Sequence, residues 1–243
     1  MSPHRIRFTP MAVASSLGVV AFLLALASAG SQVLAHLTGI GPAHGIVRFF
    51  DLNSEFNLPT FYASALLSLA AVLLAVIAVL ERQLGRSGVT HWATLSAGFL
   101  FMALDESATL HERLAPPLRQ YFGEQLPAVF HFAWVLPGIV LVLLLGVGFL
   151  PFVMRLPGRT RLAFVAAASL FLGGALGVEL IEGYLYAPAA RLTVVYSAVA
   201  TAQEVLEMGG VILFIWALLD YLSVHYGDLH LSFRSPGAGP PNP

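Results

Sequence analysis

The sequence predicts an all-α fold: a polytopic transmembrane helical bundle of about six spans, with both termini cytoplasmic. Three observations carry this expectation. The 243-residue chain is 58% hydrophobic and only 10% charged, whereas soluble domains carry about 25% charge. Its mean hydropathy is +0.81. Six mostly apolar stretches recur along it, each near the length of about 20 residues that a helix needs to cross a bilayer.

The first stretch, 11–35, follows Arg5 and Arg7. Its Ala27-Ser28-Ala29 run has the small-residue pattern of a signal-peptide cleavage site. The apolar character nevertheless continues through Val33, Leu34 and Ala35, which favours a retained span. The second stretch, 59–80, is entered from a polar segment running from Asp51 through Glu55 to Asn57. Asn57 or Thr60 suits a helix cap there, and Pro59 suits a first helical turn. Glu55 is placed to cover the outer end of the bundle.

The third stretch, 91–112, holds Thr94, Gly98, Asp105, Thr109 and Glu112 in one stripe at about 100° per residue. His111 lies at one edge of that stripe and Glu106 at the other, so Asp105 is the expected inward acid. Glu106 is placed to reach Arg113. The fourth stretch, 128–153, opens with His131 and Trp134. In the fifth, 162–186, Glu179, Glu182 and Tyr186 share a face with Ala175. In the sixth, 192–222, Glu204 and Glu207 share a face with Ser197, Ala200 and Val211, with Tyr196 and Gln203 alongside. Residues 1–226 are thus expected to form one six-helix domain, and the Pro/Gly-rich 227–243 a disordered cytoplasmic tail.

Arginine placement sets the orientation, since positive residues favour the cytoplasmic side. Eight arginines (5, 7, 82, 86, 155, 159, 161, 234) fall on one side and four (48, 113, 119, 191) on the other. The chain is then expected in the inner membrane of a bacterial cell. The ionisable groups of four helices come to a similar depth in the outer, periplasmic half.

Composition also excludes. A net charge of −1 leaves no basic field for nucleic acid, and no cysteine is present for disulfides, iron–sulfur clusters or thiolate metal sites. No Gly-rich phosphate loop, nucleophile elbow or His-Glu-x-x-His motif occurs.

Seven carboxylates (Asp105, Glu106, Glu112, Glu179, Glu182, Glu204 and Glu207) lie on three predicted spans that contain no arginine. An ionised acid at mid-membrane costs at least about 2.5–3.5 kcal/mol, and clustered acids repel one another. Protons, bound cations or rim arginines such as Arg48, Arg113 and Arg191 would relieve this. The Glu-x-x-Glu pairs at 179/182 and 204/207 each set two carboxylates on one helical face. Together with His111 and His131, they match the oxygen and imidazole ligands that iron, manganese or zinc accept.

Two likenesses bear on this ligand set. Ser107-x-x-x-His111 is similar to one motif of the seven-helix ceramidase and adiponectin-receptor superfamily, which binds zinc. The last span here, however, carries Glu204 and Glu207 where that superfamily has paired histidines. The inventory of acids and two histidines also resembles that of di-iron bundle proteins, though their Glu-x-x-His motif is absent.

The expected function is a membrane metalloprotein, a metal-dependent enzyme acting on a lipid-like or quinone-like substrate. It would bind one or two divalent ions, iron or manganese in the first place and zinc otherwise. Asp105, His111, Glu112, His131, Glu179, Glu182, Glu204 and Glu207 form the ligand pool. Glu55, Glu106, Tyr186, Tyr196 and Gln203 support it. The expected partners are membrane lipid and a small hydrophobic substrate. A proton- or cation-coupled transporter is the alternative, and a structural subunit of a membrane complex the third option.

Overall fold

A computed structural model of the chain describes residues 9–39, 45–122, 126–186 and 193–227. Arg5, Arg7, Arg191 and Arg234 of the arginine count lie outside these residues, as does the predicted tail beyond Gly227. The described residues are all-helical, with no strand among them. In chain order the α-helices are α1 (Pro10–Thr38), α2 (Gly45–Phe50), α3 (Leu58–Gln83), α4 (Val89–Ala108), α5 (Leu110–Phe122), α6 (Val135–Arg155), α7 (Gly158–Leu172), α8 (Glu179–Leu185) and α9 (Val194–Tyr226).

Among the described residues, five helical segments are long and apolar enough to cross a membrane: α1, α3, α6, Gly158–Leu185 and α9. The predicted third span, α4, is 20 residues long, but His91, Asp105 and Glu106 dilute its apolar character. Large apolar side chains coat the outside of the bundle. On α6, Leu144 is 67% and Val147 75% exposed, a surface unsuited to water and suited to lipid.

Two of the predicted spans are interrupted. The third stops at Thr109, whose left-handed backbone (φ 49°) separates α4 from α5. The fifth is α7 and α8 joined by a π-helical turn, Gly173–Val178. Three of the six residues in that turn are glycines, so few side chains oppose the wider winding. Entry into α3 follows the predicted chemistry. The Asn57 side chain accepts from the Thr60 amide, and Pro59 stands in the first turn.

α9 is the central helix: half of its most apolar window is buried, against 11% for α6. Leu66, Leu74 and Ile77 of α3, Trp92 of α4, and Met208, Ile215 and Leu218 of α9 fill the core. Polar side chains clasp neighbouring helices at close range. Ser64 and Ser96 hydroxyls donate to the carbonyls of Ala103 and Ala71, joining α3 to α4. Tyr62 donates to the Leu17 carbonyl on α1. Gln32 of α1 donates to Asp51, whose other oxygen accepts from Ser54.

Arginine pairs gather at the end of the bundle where α9 finishes. Arg159 pairs with Asp220 at 3.1 Å and lies over the Trp216 ring. Glu81, 5% exposed, pairs with Arg86 at 3.1 Å and accepts from the Tyr226 hydroxyl. This contact pins the end of α9 to the α3–α4 turn. Hydrogen bonds to charged groups contribute about 1.5–3 kcal/mol, so Tyr226→Phe should lower the thermal unfolding midpoint in detergent. An unchanged midpoint would contradict the clasp.

Candidate functional site

The acids gather toward the opposite end, where the start of α9 meets α8, the end of α4 and the loop before α3. Gln203 is the hub. Its amide nitrogen donates to Glu179 at 2.9 Å and to Glu207 at 3.1 Å. The two carboxylates are therefore no further apart than two hydrogen bonds in series. The other Glu179 oxygen accepts from the Trp134 indole at 3.1 Å. Glu179 and Glu182 are both buried. Gly174 permits this approach: a Cβ there would lie 2.8 Å from the Gln203 carbonyl oxygen and from Glu207 Cγ.

The remaining acids close on the same place. Glu204 lies within electrostatic range of Glu207, Glu106, Glu55 and Glu182. Glu207 in turn feels Glu106, Glu179 and His111. The strongest charged neighbours of Glu55, Glu106, Glu204 and Glu207 are other acids and His111, with no arginine among them.

The break at Thr109 decides which α4 acid does what. Asp105 turns back to receive α5: one oxygen accepts from the His111 amide at 2.9 Å, the other faces His111 Nδ1 at 2.8 Å. It thereby satisfies an orphan donor at a helix start and leaves His111 Nε2 for other work. Glu106, expected to reach outward to Arg113, instead faces Glu55, Glu204 and Glu207. Thr109 ends α4 before Glu112 and Arg113, so the directions of those two no longer follow from their spacing to Asp105 and Glu106. Glu112, on α5, is exposed and acts on Glu55 and Glu179 from the rim.

His131 has partners of its own. It contacts the Arg119 guanidinium through Nδ1 and stacks on Tyr186 with ring centroids 3.5 Å apart. Tyr196 is buried at the start of α9. The part played by Trp134 was the least visible in the sequence. Its signal was an indole N–H inside a predicted span, which needs an acceptor.

Glu55, in the loop before α3, and His111, beyond the Thr109 break, have shifted protonation. Burial favours the neutral form of Glu55, and the Glu112 charge adds to this. His111 and a Thr60 hydrogen bond oppose, and Asp105 adds slightly, leaving the pKa at about 7. For His111 burial works against the charged ring, but the hydrogen bond and charge of Asp105, with Glu179 and Glu112, raise its pKa to about 9.

The Glu55 shift has a measurable consequence. With a folded-state pKa of about 7 against an ordinary 4.5, the native state holds the proton more tightly than the unfolded chain. The stability this confers is fully present below about pH 4.5 and lost as pH rises through about 7. In chelator-treated protein, Glu55→Gln should flatten that fall. An identical pH profile in the variant would count against a raised Glu55 pKa.

Donor chemistry fits a divalent cation: carboxylate oxygens, plus an imidazole whose far nitrogen is oriented by a carboxylate, as metal-binding histidines commonly are. Among the described residues no three His, Asp or Glu side chains stand in the close arrangement of a preformed metal site.

No curated protein matches the chain, and no solved structure does. A family model described as "Domain of unknown function (DUF8692)" matches residues 16–222, and the chain belongs to that family.

Proposed function

We propose that this is a six-span integral membrane protein whose acid cluster binds one or two divalent cations, as a metal-dependent enzyme on a lipid-like or quinone-like substrate. The observation that carries the reading is the gathering of Glu55, Glu106, Glu182, Glu204 and Glu207 without arginine among the strongest charged neighbours of Glu55, Glu106, Glu204 and Glu207. Apolar surroundings make such a group costly unless something positive joins it. Glu106, Glu182, Glu204, Glu207 and His111 Nε2 are the proposed ligands, drawn together by side-chain rotation. Asp105 orients His111, while Gln203 and Trp134 hold Glu179 as a positioning acid.

Iron or manganese there would supply redox chemistry, and zinc Lewis-acid chemistry for hydrolysis. The chain's own groups would exclude water, position the substrate and move protons, with Glu55 at the rim suited to proton exchange near neutral pH. Elemental analysis of purified protein tests the reading: near-integral iron, manganese or zinc is expected. Metal-free protein that retains its native activity would overturn it.

One observation favours the proton-coupled alternative. Gln203 Oε1 is buried with no hydrogen-bond donor, and a protonated carboxyl beside it would provide one. Under that reading Glu207→Gln leaves metal content unchanged and abolishes proton uptake by proteoliposomes.

The proposed orientation puts the cluster in the outer half of the inner membrane, with both termini cytoplasmic. A reporter fused after Tyr226 should be active only as a cytoplasmic fusion. Periplasmic activity would invert the topology and move the site to the inner side.

A further inference from the structure

We propose that α5 is an interfacial helix, lying along the headgroup–acyl boundary of the leaflet next to the acid cluster with one apolar side turned into phospholipid. This rests on the membrane reading above and not on the metal.

Neighbouring elements fix the level at which α5 begins. Ser107, near the end of α4, shares a hydrogen bond of 2.8 Å with Ser64, in the second turn of α3. The end of α4 therefore stands level with the start of a membrane-long helix. The ring of His111, in the first turn of α5, meets that of Trp134, the residue before α6, with centroids 4.8 Å apart. Further along, Arg119 contacts His131, which stacks on Tyr186 at the end of α8. Two points eight residues apart on α5 thus touch the short segment that enters α6, so the helix follows the rim of the bundle.

The side chains divide as that place requires. At about 100° per residue, Leu110, Leu114, Pro117 and Tyr121 fall on one side of α5, with Glu112, Pro116 and Arg119 opposite. His111, Ala115 and Leu118 lie between the two on the side toward the bundle and are part-buried, while the other residues of α5 are exposed. Leu114 is 52% and Tyr121 84% exposed. A helix with protein beside it, water above and acyl chains below needs these three sides. Arg113 flanks the apolar side on the edge away from the bundle, where a guanidinium reaches lipid phosphates while its stem stays among acyl carbons. Tyrosine is favoured at the same level.

The backbone excludes a deeper position. Pro116 and Pro117 lie inside α5 and have no N–H, so the carbonyls of Glu112 and Arg113 lack their usual helical donor. Hydrocarbon does not tolerate such acceptors, whereas headgroups and interfacial water satisfy them.

The chain has no cysteine, so single cysteines can carry a bimane fluorophore in the full-length protein. It should be reconstituted in phosphatidylethanolamine/phosphatidylglycerol vesicles doped with phospholipid brominated on upper or, separately, on lower acyl carbons. Labels at Leu114→Cys and Tyr121→Cys should be quenched several-fold more by upper than by lower bromines. A label at Pro116→Cys should respond to aqueous iodide and little to either lipid. Leu144→Cys and Val147→Cys on α6 serve as references for a spanning face and should respond to lower bromines.

Quenching at Leu144 and Val147 but at neither Leu114 nor Tyr121 overturns the proposal and leaves the membrane reading standing. No lipid quenching at any of the four sinks both. Equal lipid quenching at Leu114, Tyr121 and Pro116 removes the preferred side, and stronger quenching of all three by lower bromines makes α5 part of a span; either overturns the proposal. Leu114 and Tyr121 shielded from bromine and iodide alike would mean that a second copy of the chain covers this side, which overturns it as well.

Discussion

Glu204→Gln and Glu207→Gln should each strip the purified protein of its divalent metal, while both variants still fold. Gln keeps the shape of Glu and removes its charge, and charge is what compensates a divalent ion among oxygen ligands. Both positions lie on the central helix, α9, next to Gln203, and Glu207 Oε1 already accepts from that amide. Metal content read by elemental analysis should fall from near-integral to background. The unfolding midpoint measured after chelation should stay or rise, because each substitution removes one of several mutually repelling acids. The comparison that decides is with His131→Ala. His131 contacts Arg119 and Tyr186, so its loss should leave metal content unchanged. If both Gln variants retain full metal, these acids are not ligands.

The second large effect concerns packing. Gly210→Val should prevent α9 from seating against α7. A Cβ at Gly210 would lie 2.7 Å from the Phe171 amide nitrogen and 2.9 Å from the Ala167 carbonyl oxygen. Both are backbone atoms that cannot rotate away. Overpacking of a close-fitted core costs about 1–3 kcal/mol, and contact with backbone puts this site at the upper end or beyond. The adjacent Gly209 provides an internal control, since nothing lies within 4 Å of a Cβ placed there. Gly209→Ala should hold or raise stability, as Ala is favoured over Gly in a helix by about 1 kcal/mol. Size-exclusion profile and thermal midpoint in detergent read both. Equal behaviour of the two variants would mean that α7 and α9 do not pack at Gly210.

The helices themselves were legible in the sequence because their cause is local. Apolar runs of spanning length stand out in any window, and the Asn57 cap with Pro59 behind it marks the start of α3 by residue type alone. The inward face of α9 was equally legible. Its winding is unbroken from Val194 to Tyr226, so the angle between Gln203, Glu204 and Glu207 follows from spacing.

Tertiary structure decided the rest. The division of labour between Asp105 and Glu106 depends on the helix break at Thr109, a non-glycine residue in left-handed backbone. Asp105 holds the break by taking both the His111 amide and its ring nitrogen. The π turn likewise brings Gly174 close to α9, where a Cβ would lie 2.8 Å from the Gln203 carbonyl oxygen. His131 was drawn to Arg119 on another element, a pairing between segments that periodicity cannot register. Periodicity carries a side chain's direction only as far as the helix continues. Beyond each break, direction is set by contacts between residues distant in sequence.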